Sequence, residues 1–185
     1  WVGAEEDQAV QAVGFADVSG FSVLSKRISS EELGELVDAF EREAVDVVTQ
    51  YDGRVVKFIG DEVLFVVESV DTAVDIALAL SERMAESAVS VQLHCGIAFG
   101  PTITIGGDVF GNTVNLAKRL TAAARRNKVV LTKPTALEAL GDREDLQIHR
   151  VARVFELKGI GRTQIVSVSR RSEEGTLRRR RRSHE

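Results

Sequence analysis

Apolar residues along this chain recur first at every second position and then at every third or fourth, and the order of these two repeats restricts the fold more than any other feature. Ala9 to Val18 reads as a strand that ends at Asp17 and opens onto a Ser19-Gly20 turn. Ser29 and Glu32 stand three apart, as a capping box requires. Leu33, Leu36, Val37, Phe40, Ala44, Val47, Val48 and Tyr51 follow at helical spacing, and Gly53 ends the helix. Arg54 to Ile59 and Glu62 to Val67 are β-branched or aromatic runs meeting at Gly60-Asp61, which predicts a hairpin with the acid at its tip. Val70 to Ala85 is helical again, with Val74, Ala77, Leu78 and Met84 on its apolar side, and Val91 to Phe99 returns to a strand. Strand, helix, strand, strand, helix, strand predicts an α+β, ferredoxin-like βαββαβ core, a sheet covered on one side by helices. Additional C-terminal elements are expected: a short strand at 102–105, a helix from Asn112 to Arg126, and strands at 129–131, 151–157 and 164–169.

Length and charge bound the organisation. With 185 residues and 44% hydrophobic content, the chain can bury one sizeable core and has little left for a second. Residues 1–169 carry a net charge of −8, whereas 170–185 carry +4, including Arg170, Arg171 and the unbroken run Arg178 to Arg182. The expectation is one domain over 1–169 and a basic, disordered tail over 170–185. Such a tail suits a solvated terminus or contact with anionic lipid or nucleic acid. The acidic body argues against nucleic acid as the main partner, because neutralising phosphates dominates that affinity. The single cysteine, Cys95, sits in an apolar run and reads as core filler, which fits a reducing cytoplasm. No apolar stretch approaches membrane-spanning length and no signal-peptide pattern is present. A start at Trp1 rather than Met reads as a piece of a longer protein with a regulatory region upstream.

In a ferredoxin-like order the first strand lies beside the hairpin, which would bring Asp17 close to Asp61. Each acid breaks a strand-like run near glycine, in Gly14-Phe15-Ala16-Asp17-Val18-Ser19-Gly20 and in Lys57-Phe58-Ile59-Gly60-Asp61-Glu62. Two carboxylates at strand ends are held by stiff backbone yet face open space, a placement suited to divalent cations beside a nucleotide triphosphate. Taken singly, each also reads as a turn residue. A third segment runs Gly107-Asp108-Val109-Phe110-Gly111-Asn112-Thr113-Val114-Asn115-Leu116-Ala117-Lys118-Arg119-Leu120.

With these three segments in this order, the chain resembles the catalytic domain of the class III nucleotidyl cyclases, which make cyclic AMP or cyclic GMP. The likeness runs from about Phe15 to Ser169. Its specific part is the string Asp108, Gly111, Asn112, Asn115, Ala117, Arg119; the shorter pieces gain weight from order and spacing. The resemblance implies two divalent cations per site, Mg²⁺ or Mn²⁺, held by Asp17, Asp61 and main chain near Val18. It implies Asn115 orienting the ribose and Arg119 binding phosphate as charge moves to the leaving group. These two are four apart on a predicted helix, hence on one face. It implies a late lysine, matched by Lys158, on the β and γ phosphates; lysine beside glycines is also common in hairpins.

For the base, Lys57 can donate to adenine N1 and Asp108 can accept from the 6-amine, whereas guanine would meet a donor facing its N1 hydrogen. ATP is therefore the expected substrate. The family faces two catalytic domains head to tail, and one chain here carries both residue sets. The implied assembly is a symmetric homodimer, with Asp17 and Asp61 from one subunit meeting Lys57, Asp108, Asn115 and Arg119 from the other.

Two departures stand out. The stretch between Gly100 and Asp108 is short, resembling the short-armed bacterial subgroup, which puts dimer affinity in doubt; Lys118 stands where a small residue is usual, and its helical position is expected to turn it away with little effect. A diguanylate cyclase is a rival, because Gly106-Gly107-Asp108-Val109-Phe110 mimics that family's signature. That signature belongs at a hairpin tip, and here the segment is expected to lead into the Asn115 helix instead. A catalytically silent cyclase-like dimerisation or nucleotide-sensing module is a second rival, though Asp17, Asp61, Asn115 and Arg119 are all present. His94, His149 and His184 lack metal-ligand spacing, and no Ser-His-Asp or Cys-His arrangement can be argued.

Overall fold

The computed structural model of the chain describes residues 7–88, 90–125, 128–157 and 161–171. Lys158 and the arginine run of the tail fall outside them. The sheet is built on β1 (Asp7–Val18), which pairs antiparallel with β3 (Glu62–Val67) on one side and β4 (Leu93–Ile105) on the other. With β2 (Arg54–Ile59) beyond β3, the first four strands take the order β2-β3-β1-β4 of a ferredoxin-like core. β6 (Lys128–Thr132) adds parallel to β4, and a hairpin of β7 (Leu146–Leu157) and β8 (Gly161–Arg170) completes the order through β8 pairing with β6.

Strand alternation sends successive residues to opposite faces, and the two faces have separate cores. Ala12, Ala16 and Val18 point into the larger one, closed by α2 (Ser30–Gln50) and α3 (Val70–Glu86) through Leu36, Phe40, Ile76 and Leu80. Val13 and Phe15 point the other way and meet Ala117 and Leu120 of α4 (Asn112–Ala123). One-sided cover thus describes α2 and α3, while α4 lies on the opposite face. Full burial of each large side chain contributes about 1.5–3 kcal/mol, so both faces are held chiefly by apolar packing.

The local signals explain most element boundaries. Ser29 Oγ accepts from the Glu32 N–H at 3.2 Å and Glu32 Oε2 accepts from the Ser29 N–H at 2.8 Å, so the capping box opens α2 as its spacing requires. The strand expected separately at 102–105 is instead the continuation of β4. Its ladder with β1 runs unbroken through Gly100-Pro101, because Gln11 and Val10 stand opposite that dipeptide. Three short elements carried no readable period: α1 (Phe21–Leu24), β5 (Asp108–Phe110) and α5 (Lys133–Leu140), the last with Pro134 in its first turn, where its missing N–H costs nothing.

β5 corrects one expectation. It folds back on β4 with Ile105 opposite Asp108, leaving Gly106-Gly107 as a two-residue hairpin turn with φ of 58° and 84°. Two successive positive φ values are what a tight hairpin demands and what glycine supplies. The Gly-Gly-Asp segment does therefore sit at a hairpin tip, contrary to that expectation, and it leads on through β5 into α4 as expected.

The outer edge is tied down by charge. Arg143 pairs with Asp71 at 2.5 Å, Asp75 at 3.0 Å and Asp145 at 2.7 Å, and Arg170 reaches Glu82 at 2.9 Å. These bonds hold the Asp145 loop and the end of β8 against α3.

Helix α4 lies so close over the sheet that a Cβ on Gly96 would stand 2.2 Å from the Thr121 nitrogen and 2.6 Å from the Ala117 carbonyl oxygen. Backbone cannot yield as a flexible side chain does. Gly96→Ala is expected to lower stability by about 1–3 kcal/mol, read as a lower urea midpoint with unchanged slope.

Candidate active site

The site grows from the β1–β3 register. Asp17, next to last in β1, stands opposite Glu62, the first residue of β3, so Asp61 in the preceding turn is carried to the same end of the sheet. The Val18 N–H donates to the Asp61 carbonyl at 3.1 Å and fastens the hairpin tip to the end of β1. The Asp17 and Asp61 carboxyl groups come within hydrogen-bonding reach of each other. Burial, then the bond to Asp61, then repulsion from Asp61 and Glu62 push the Asp17 pKa up to about 7, with Lys118 opposing.

Two carboxyls pressed together and half withdrawn from water are short of positive charge. That donor set fits divalent cations. Among the described residues no three His, Cys, Asp or Glu side chains form a cage. A pair of carboxylates with nearby main chain leaves other positions for phosphate oxygens and water, which is how Mg²⁺ is commonly held. The structure therefore brings Asp17, Val18 and Asp61 together.

A second pair lies on β2 and β5. Lys57 Nζ donates to Asp108 Oδ2 at 2.5 Å, and Asp108 Oδ1 accepts from the Val109 N–H at 2.8 Å. The lysine bond holds the Asp108 carboxyl below the usual carboxylate range. Arg54 Nη1 also donates to the Gly107 carbonyl at 3.0 Å and braces the turn that presents Asp108. Sequence reading missed Arg54. Its signal would have been a cation three residues before Lys57, but it shows only once β5 is known to fold back beside β2.

Asn115 and Arg119 lie one turn apart on α4, Asn115 exposed and Arg119 half-buried, and neither side chain is hydrogen-bonded or ion-paired with the described residues. They do not meet Asp17 or Asp61 through any such bond within the chain. Lys158 lies outside the described residues.

Lys118, expected to turn away with little effect, makes a contact that its sequence position did not show. Its Nζ pairs with Glu62 Oε2 and stands 5.3 Å from the Phe15 ring centroid, placing a cation of α4 at the carboxylate end of the sheet. Glu62 is 5% exposed, and its second oxygen, Oε1, is buried without a partner. Away from the site, Cys95 is fully buried in the larger core, as its apolar surroundings suggested.

This geometry can be set beside known proteins. The profile of the family described as Adenylate and Guanylate cyclase catalytic domain matches residues 3–169. An adenylate cyclase of Streptomyces coelicolor is 49% identical over 133 residues, covering 72% of this chain and 35% of that protein. One from Streptomyces griseus is 48% identical over 126 residues, covering 68% of this chain and 32% of that protein. Among solved structures, the adenylyl cyclase CyaB from P. aeruginosa superposes with a TM-score of 0.79 at 21% identity, covering 91% of this chain and 98% of that one. The catalytic core of a rhodopsin-guanylyl cyclase with converted specificity, in complex with ATPalphaS, gives 0.80 at 23%, covering 91% and 100%. These two likenesses concern the fold, a mixed α+β sandwich of the nucleotidyl cyclase type.

The chain belongs to the adenylate and guanylate cyclase catalytic domain family. It spans about a third of the length of the two Streptomyces relatives. Among the described residues no helix is long and apolar enough to cross a membrane.

The raised Asp17 carboxyl sets a pH dependence. It holds its proton more tightly folded than unfolded, so in the absence of metal its contribution to stability falls as pH rises from 3.8 through about 7. Added Mn²⁺ is expected to raise the melting temperature more at about pH 8 than at about pH 6, where Asp17 is mostly protonated. Asp17→Asn should remove that difference, a comparison differential scanning fluorimetry makes directly.

Proposed function

We propose that this chain is an adenylate cyclase domain that converts ATP to 3′,5′-cyclic AMP and pyrophosphate, at sites shared between the two subunits of a homodimer. The observation that carries the reading is the apposition of Asp17 and Asp61 at the end of β1. The two Streptomyces relatives named adenylate cyclase, near half identical, support ATP as substrate. The catalytic unit is taken as 1–169, except that Arg170 and Arg171, expected in a disordered tail, close β8 and bond to Glu82 and to the Glu144 and Leu146 carbonyls and so belong to it. A site that consumes ATP fits a cytoplasmic setting.

Divalent cations bound at the two aspartates would supply charge neutralisation of the triphosphate and a lowered pKa for the ribose 3′-hydroxyl. Asp17 and Asp61 hold that charge at a fixed place, with main chain at Val18 beside them. The ribose 3′-hydroxyl gives its proton to water and its oxygen bonds to the α-phosphorus as the bond from that phosphorus to the pyrophosphate oxygen breaks in line; no covalent link to the protein is required. Asn115 orients the ribose, and Arg119 binds phosphate while charge passes to the leaving group, where its planar fork fits better than an ammonium. Lys158, by resemblance alone, contacts the outer phosphates.

Lys57 and Asp108 read the adenine edge. Their mutual bond keeps the ammonium and the carboxylate side by side, donor next to acceptor, matching N1 and the 6-amine. Arg54 keeps the Asp108 turn in place.

What a single chain leaves apart supports a shared site. The carboxylate pair gathers at one end of the sheet, whereas Asn115 and Arg119 have no polar link to it. A second copy facing the first head to tail supplies the missing half. Exposed Val10, Phe99, Ile105 and Phe110 on β1, β4 and β5 give such a copy apolar surface to cover.

Incubation with ATP or GTP and either Mg²⁺ or Mn²⁺, followed by chromatography, should yield cyclic AMP as the main product. GTP turnover equal to or above ATP turnover would overturn the base assignment, and no cyclic product with either metal would favour a silent module. Lys57→Ala should cut the ATP preference by about tenfold, the loss of one directed hydrogen bond. Asp17→Ala and Asn115→Ala proteins, each inactive, should regain activity when mixed; persistent inactivity would argue for a site contained in one chain.

A further inference from the structure

Among the described residues, helix α4 is fastened to the sheet at three polar points. Near its start Thr113 Oγ1 donates to the Pro101 carbonyl at 2.8 Å, and past its end the His94 ring bonds to the Ala124 carbonyl at 2.9 Å. Both partners lie on β4. The third point, Lys118 to Glu62, is different, because it leads to β3 and the hairpin whose tip is Asp61. Among the described residues no other hydrogen bond or ion pair joins α4 to that hairpin.

The placement of the two ends is specific. Lys118 lies three residues after Asn115 and one before Arg119, so its stem is part of the helical turn that carries both. Glu62 follows Asp61 directly and stands opposite Asp17 in the ladder. Its side chain is 7% exposed and has one oxygen on Lys118 and the other unpartnered, so it depends on Lys118 for its charge pairing. The Lys118 ammonium itself stands over the Phe15 ring, 5.3 Å from its centroid, a second contact that holds it at this end of the sheet.

We propose that Lys118 and Glu62 are positioning residues for the cyclase reaction: their ion pair is a strut that sets the helix bearing Asn115 and Arg119 in register with the hairpin bearing Asp61. That the two ends serve different sites of the dimer rests on the shared-site reading above. On that reading the strut joins the metal half of one site to the nucleotide half of the other, so one chain cannot shift either half alone. A displacement of about 1 Å at a reacting group costs up to about a hundredfold in rate, which gives a short strut a large lever.

Kinetics on single variants decides the strut itself. Lys118→Met keeps an unbranched side chain of similar length and removes the charge; it should lower kcat by about 10–100-fold while KM changes by less than about threefold. Lys118→Arg should restore kcat to within about threefold, because the guanidinium still reaches Glu62. Glu62→Gln should resemble Lys118→Met, and the double variant should be no slower than either single one. Circular dichroism and melting temperature confirm that each variant is folded, and Glu62→Gln serves if Lys118→Met is not. Unchanged kcat in Lys118→Met, an effect confined to KM, or additive losses in the double variant would overturn the proposal.

Mixed dimers decide what the strut joins. With Asp17→Ala plus Asn115→Ala as reference, Lys118→Met is added to one chain at a time. Loss of the recovered activity from either chain is expected, since the working site draws its helix from one and its hairpin from the other. Loss only when the change sits on the Asn115→Ala chain would reduce Lys118 to a local charge beside the metals and overturn the coupling. If the reference mixture itself stays inactive, the shared-site reading fails while the single-variant kinetics still decides the strut.

Discussion

Everything at the site depends on the pairing of β1 with β3. Because Asp17 faces Glu62 across that ladder, the two-residue turn before Glu62 has nowhere to put Asp61 except beside Asp17. A slip of one residue would send Asp17 to the opposite face of the sheet, among Phe40, Ile76 and Leu80. Side-chain size forbids that slip, because Gly14 stands opposite Phe65 and any Cβ at that position would lie 2.1 Å from its ring. The same packing that builds the core thus also meets the electrostatic cost of holding two acids together.

The sheet separates two tasks by face. Ala12, Ala16 and Val18 point toward α2 and α3, where the residues are almost wholly apolar and the packing supplies most of the stability. Phe15, Asp17, Glu62 and Leu64 belong to the α4 side, where a smaller core gives way at one end to charge. Gly96 allows α4 to lie almost on the strands, bringing a helical lysine within reach of a strand-borne glutamate. Close approach and polar contact have one origin there, a missing Cβ.

Much of the architecture was legible in the sequence because periodicity and capping are local. Ser29 with Glu32, the apolar repeat through Tyr51, and the two runs meeting at Gly60-Asp61 each gave an element close to where it lies. β5 and α5 were not legible, since three residues cannot show a period and eight with a proline hardly do. The apposition of Asp17 and Asp61 followed from strand order. The Lys118 contact with Glu62 was not legible, because helical position tells which way a side chain leaves its helix, not what the sheet presents below it. Glu62, read as the opening residue of a strand, carried no mark of its buried partnership. Arg54 was hidden for a similar reason: its acceptor is a backbone carbonyl 53 residues away.

The clamp formed by Arg143 and Arg170 on α3 has a consequence for how the molecule comes apart. Its members remain partly in contact with solvent, so dissolved ions weaken it far more than they weaken the apolar layers. In concentrated salt the loop carrying Asp145 would loosen first, while β8 keeps its ladder to β6 and the buried Val166 and Val168, giving the sheet a margin anchored by its core rather than by its charges.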